Sequence, residues 1–163
     1  MFIKGDKVLY PLYGTCIIED IVKNQILGDM KLCYTISIPK ERMQVSIPVD
    51  RADTLGIRYL VDSEVIETIL TGFYAEKTDP VMFENQRYCS ELNKKKIKSG
   101  DIFLEREIIR DLTRKRLFNK LGNDDTKMLN NACQVFISEM MEVKGLAHEE
   151  AVQILDDVIE KCS

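Results

Sequence analysis

The spacing of apolar residues changes once along this chain, near Asp62, and that change limits what each side of it can fold into. Before it, Leu32, Tyr34, Ile36 and Ile38 alternate with Lys31, Cys33, Thr35 and Ser37, and Met43, Val45 and Ile47 repeat the pattern. A period of two puts one set of side chains on the buried face of a sheet. After it, Val65, Ile66, Ile69 and Leu70 recur at helical spacing. Met128, Leu129, Ala132, Cys133, Phe136, Met140 and Val143 do the same, followed by Ala151, Val152, Leu155, Val158, Ile159 and Cys162. Such spacing draws one apolar stripe along a helix.

Turn-forming residues divide the first part into strands. Gly5-Asp6 and Pro11-Leu12-Tyr13-Gly14 bracket a strand over residues 7–10, because Pro cannot donate to a ladder and Gly tolerates positive φ. Residues 15–25 are rich in β-branched side chains, Gly28-Asp29 offers a hairpin turn, and Pro39-Lys40-Glu41-Arg42 interrupts the next run. Four or five short strands with tight connections predict a small Tudor- or SH3-like β-barrel over residues 1–60, whose closure would remove most edges.

In the second part, Asp62-Ser63 starts a helix and Gly72 ends it. Thr78-Asp79-Pro80 turns into a helix over about residues 82–98, and Ser99-Gly100-Asp101 stops that helix and caps another, with a broken stripe from Ile102 to Leu117. Gly122-Asn123-Asp124-Asp125 and Gly145 separate the last helices. Five helices on short loops predict an all-α bundle over residues 61–163, so the fold class is α+β.

Chemistry-bearing motifs are sparse. There is no GxxxxGK[ST], GxGxxG or HExxH. The five cysteines (Cys16, Cys33, Cys89, Cys133, Cys162) form no CxxC and read as reduced thiols. With a single His, His148, no metal site and no cofactor are expected. Cys133 or Cys162 with His148 is the only nucleophile–base pairing to weigh, and it lacks a distinctively placed third group. No apolar run approaches the ~18 residues that span a bilayer, and the N-terminus has no export signal. The expectation is a cytoplasmic non-enzyme with no membrane partner and no small-molecule substrate.

Charge is distributed unevenly. The chain carries −4 overall, yet residues 86–120 hold eleven Lys/Arg against five acids, leaving that segment at +6 and the remainder at −10. Lys94, Lys95, Lys96 and Lys98 close one predicted helix, where its dipole favours cations with or without a ligand. Arg106, Arg110 and Arg114 recur at i, i+4, i+8, predicting one guanidinium ridge on the next helix. Cations so grouped suit phosphate contacts, which position a protein without reading sequence.

The strings GDKVLYPLYG (residues 5–14), VSIPVDRADTLGIR (45–58) and IKSGDI (97–102), with the helices after Asp125, resemble the CarD/CdnL family of bacterial transcription regulators over nearly the whole chain. The first string also resembles the polymerase-binding module of the transcription-repair coupling factor, whose helicase motifs are absent here. The resemblance implies a Tudor-like domain that binds the RNA polymerase β subunit through a strand edge. It also implies a helical domain that contacts promoter DNA at the upstream edge of the bubble and stabilises the open complex. By position the polymerase contacts fall at Asn24 and Ser46, on neighbouring strands, with Met43 and Gln44 beside them. The DNA-contacting set is Phe83, Gln86, Arg87, Tyr88, Lys94, Lys95, Lys96, Lys98, Arg106, Arg110 and Arg114.

Two departures stand out. The polymerase-contacting positions, often basic in the family, are uncharged here. The family's wedge Trp is missing, since the chain has none; gapless alignment puts Gln86 there, and Phe83 and Tyr88 are the rings available as substitutes. Three function classes follow: a bridge between polymerase and promoter, a polymerase-docking adaptor whose helices recruit another protein, and a thiol hydrolase.

Overall fold

A computed structural model describes residues 1–161. β1 (Lys7–Tyr10), β2 (Gly14–Ile26), β3 (Asp29–Ile38), β4 (Met43–Pro48) and β5 (Arg58–Tyr59) form one antiparallel sheet in the order β4-β3-β2-β1-β5. The β2–β3 turn is Leu27-Gly28, one residue earlier than expected. Both lie at positive φ (50° and 86°), and Ile26 pairs with Asp29 across them, as in a primed two-residue hairpin. A register shift between Ile18 and Asp20 marks a bulge at Glu19. It moves the core-facing positions of β2 from Cys16 and Ile18 to Ile21.

The sheet is not closed into the expected barrel: β4 and β5 end it and do not pair with each other. Two-residue β5 is too short to show a period in sequence. The segment after β4 covers the sheet with side chains rather than with a paired strand. Ala52 and Ile57 complete a core formed by Phe2, Val8, Tyr10, Cys16, Ile18, Tyr34, Ile36 and Ile38.

Six α-helices follow, one more than expected: α1 (Ser63–Thr71), α2 (Val81–Glu84), α3 (Gln86–Ser99), α4 (Ile102–Phe118), α5 (Asn123–Lys144) and α6 (His148–Glu160). The single helix expected over residues 82–98 is broken at Asn85, whose extended backbone and Oδ1, accepting from the Tyr88 N–H at 3.0 Å, make it the N-cap of α3. Asp62 and Asp101 cap α1 and α4 in the same way. Ile66, Ile69, Phe73, Ile97, Ile108, Ile109, Leu112, Phe136, Met140 and Leu155 belong to the second core. α4 lies at its centre, with every residue from 108 to 113 buried.

Sheet and bundle meet through polar contacts around Glu139 of α5, which has no exposed surface. The Arg58 guanidinium donates to it bidentately, Nη1 to Oε2 at 2.7 Å and Nη2 to Oε1 at 2.9 Å. The Val61 N–H donates to the same Oε2 at 2.9 Å. Arg58 Nε also donates to the Gly100 carbonyl. Gly56 and Gly100, both at left-handed φ (75° and 76°), approach each other so closely that a Cβ on either would strike backbone carbonyl on the other side. Further along α5, Ser138 Oγ accepts from the Thr15 N–H at 2.9 Å, Gln134 Oε1 accepts from Lys40 at 2.8 Å, and Glu142 pairs with Lys7.

Candidate nucleic-acid interface

α3 buries Cys89, Asn93 and Ile97, spaced i, i+4, i+8, against its neighbours. The opposite side of the helix is therefore left to solvent, and it carries Arg87, Tyr88, Glu91, Lys94, Lys95 and Lys98, all exposed. Arg87 lies 3.5 Å from Glu91, a fully solvated pair that contributes little. Lys94, Lys95 and Lys98 make no ion pair among the described residues. Lys96 differs: it turns toward α4 and pairs with Glu107 at 3.1 Å, largely out of water. Gln86 is held in a polar network, its Nε2 donating to Asp125 Oδ2 at 3.0 Å beside Lys115, which donates to the same oxygen at 3.0 Å.

The expected arginine ridge on α4 does not face solvent. Arg110 is only 4% exposed and donates through Nε to Asp111 Oδ1 at 2.9 Å, with Glu76 at 3.6 Å. Arg114 donates to the carbonyls of Glu76 at 2.8 Å and Tyr74 at 3.2 Å, and its guanidinium lies 5.2 Å from the Tyr74 ring centroid. These two side chains, with Thr78 donating to Asp111 at 2.5 Å, fasten the loop between α1 and α2 onto α4. Half-buried Arg106 has its guanidinium carbon 5.8 Å from the centroid of the Phe103 ring. Equal spacing put the three arginines on one stripe, but Arg110 and Arg114 pack against residues 74–78.

An aromatic tip adjoins the start of α3. Phe83 of α2 is 41% exposed, and Phe118, ending α4, is 74% exposed. The two rings meet edge to face, with centroids 5.9 Å apart at 89°. Leu117, expected in the core stripe, is exposed as well. Arg116 and Lys120, two residues before and two after Phe118 in sequence, are exposed as well. Phe118 escaped the sequence reading because nothing in its spacing distinguishes an exposed last turn from a buried one.

In the sheet, β4 forms one edge and exposes Met43, Gln44 and Ser46. Asn24 and Ser46 are not on neighbouring strands, since β3 runs between β2 and β4. Their side chains nonetheless meet across it, Asn24 Nδ2 donating to Ser46 Oγ at 2.9 Å. Burial pushes the Cys16 and Cys133 thiols each up to about 12, so neither ionises near neutral pH. Cys162 lies outside the described residues. Among the described residues there is no cluster suited to a metal ion, and no helix is long and apolar enough to cross a membrane.

Two family models match this chain. Residues 2–61 match the CarD-like/TRCF RID domain, and residues 68–156 match the CarD C-terminal domain. The chain belongs to the CarD family. YdeB of Bacillus subtilis (strain 168), described as a candidate transcription factor, is 33% identical over 150 residues, which cover 92% of this chain and 97% of that protein. This CarD-family protein is therefore transcription-associated, with a Tudor-like N-terminal domain whose sheet is open. Its aromatic tip is built from two phenylalanines, one on α2 and one on α4.

Proposed function

We propose that the protein bridges RNA polymerase and promoter DNA without catalysing a reaction. The β4 edge, with Asn24 and Ser46 beside it, docks on the polymerase β subunit. Arg87, Lys94, Lys95 and Lys98 of α3 contact phosphates near the upstream edge of the melted region, and Phe83 with Phe118 abuts the fork. Such a factor stabilises the open complex by binding it better than the closed one. The observation that carries this reading is the unneutralised Lys94, Lys95 and Lys98 stripe on the helix whose start adjoins an exposed aromatic pair, on an otherwise acidic chain. Lys96, held by Glu107, and buried Arg110 are left out of the contact set for physical reasons.

The exposed apolar ends Leu117 and Phe118 favour a second reading, in which the helices recruit a protein. Replacing Lys94, Lys95 and Lys98 together by Ala separates the two. DNA contact predicts a flatter dependence of open-complex lifetime on salt, by about one slope unit per lost phosphate contact. Lys96→Ala leaves that slope unchanged. An unaltered slope in the triple variant, with polymerase still captured, favours protein recruitment.

A further inference from the structure

We propose that Arg58 and Glu139, with the Gly56–Gly100 contact beside them, are positioning residues that fix the angle between the β4 edge and the α3 cation stripe. The inference rests on the proposed function and adds residues that touch neither partner. One guanidinium joins three places: its own strand β5, the Gly100 carbonyl at the α3–α4 junction, and Glu139 on α5. That junction is where the helix bearing the lysines meets the helix ending in Phe118. A rotation of the sheet about this point would therefore have to break the contact that orients both.

The chemistry selects one orientation. Apolar surfaces stay in contact over a range of rotations, whereas a bidentate fork is satisfied in one geometry. Glu139 has no water to fall back on, so any rotation leaves it unpaired. Gly56 and Gly100 add a steric stop, backbone against backbone, in which there is no side chain to adjust. Glu105, buried nearby, has its carboxyl raised well above the ordinary value, chiefly by its removal from water and next by the Glu139 charge. The Arg58 fork is directed at Glu139.

The test uses the full chain with Arg58→Lys, which keeps the charge and loses the fork, and Gly100→Ala, which pries the backbones apart and removes no charge. Backbone 15N relaxation of the parent is expected to give one tumbling time for sheet and helices, and each variant two. Polymerase capture and affinity for DNA alone stay within about twofold, while open-complex lifetime falls about tenfold. The proposal is overturned if the variants keep one tumbling time, if tumbling splits while lifetime is unchanged, or if capture or DNA affinity falls along with lifetime. Loss of the folded signal in both variants also overturns it, because the contacts would then serve stability alone. A parent protein that leaves lifetime unaltered sinks the underlying reading instead, and the relaxation result still stands.

Discussion

Glu105 and Glu139 lie within one interface, and their surroundings treat them oppositely. Glu139 has three donors and is paired; Glu105 Oε1 has none. For Glu105, burial raises the carboxyl well above its ordinary value, the Glu139 charge adds to the rise, and Arg58 partly opposes it. The unfolded chain releases this proton first, near the free carboxyl value of about 4.3. The stabilising effect of the protonated form is therefore complete below that pH and is lost as pH rises toward the folded value. Glu105→Gln has no proton to lose. In urea titrations at a series of pH values, its midpoint is expected to gain on the parent as pH rises above about 4.

At the scale of elements, the last turn of α4 separates a functional ring from a packing ring. Phe118 leans on Phe83 alone among aromatic neighbours and is mostly in water, so Phe118→Ala should change stability by no more than about 0.5 kcal/mol. If the ring abuts the fork, open-complex lifetime falls several-fold in the same variant. Thermal melts and competitor-challenged footprints of the two proteins check both halves.

Element identity was largely written in the period of apolar residues: the four longer strands and most of the helices lie where alternation and i, i+3, i+4 spacing put them. What the pattern could not carry was orientation. Arg106, Arg110 and Arg114 share a stripe whether it faces water or a loop, and contacts far apart in sequence, such as those of Arg114 with the carbonyls of Tyr74 and Glu76, decide which. Asn85 looked like one more polar residue inside a helix, because a cap depends on backbone dihedrals that adjacent residues also determine. Lys94, Lys95 and Lys98 were legible as surface cations because Cys89, Asn93 and Ile97 turn the other side of α3 inward.

For the molecule as a whole, two cores joined by a charged clasp should unfold as one body. Four of the six tyrosines (Tyr10, Tyr13, Tyr34 and Tyr59) belong to the sheet region, and the chain has no Trp, so tyrosine fluorescence chiefly follows the sheet. Far-UV circular dichroism follows the helices. The two signals are expected to trace one urea transition in the parent protein. Glu139→Ala should cost about 2–3 kcal/mol, at or just under the low end for a buried pair because Arg58 keeps some water, and should pull the two curves apart.

The touching glycines carry one more consequence. Gly56 belongs to one half of the chain and Gly100 to the other, and a Cβ on either would strike a backbone carbonyl across the seam, that of Lys98 for Gly56 and that of Gly56 for Gly100. The halves are therefore not interchangeable parts: a chimera that borrows either from a relative inherits a mismatch unless the donor also lacks a side chain at that spot. A side chain added at either position can be accommodated only by a shift of backbone across the seam.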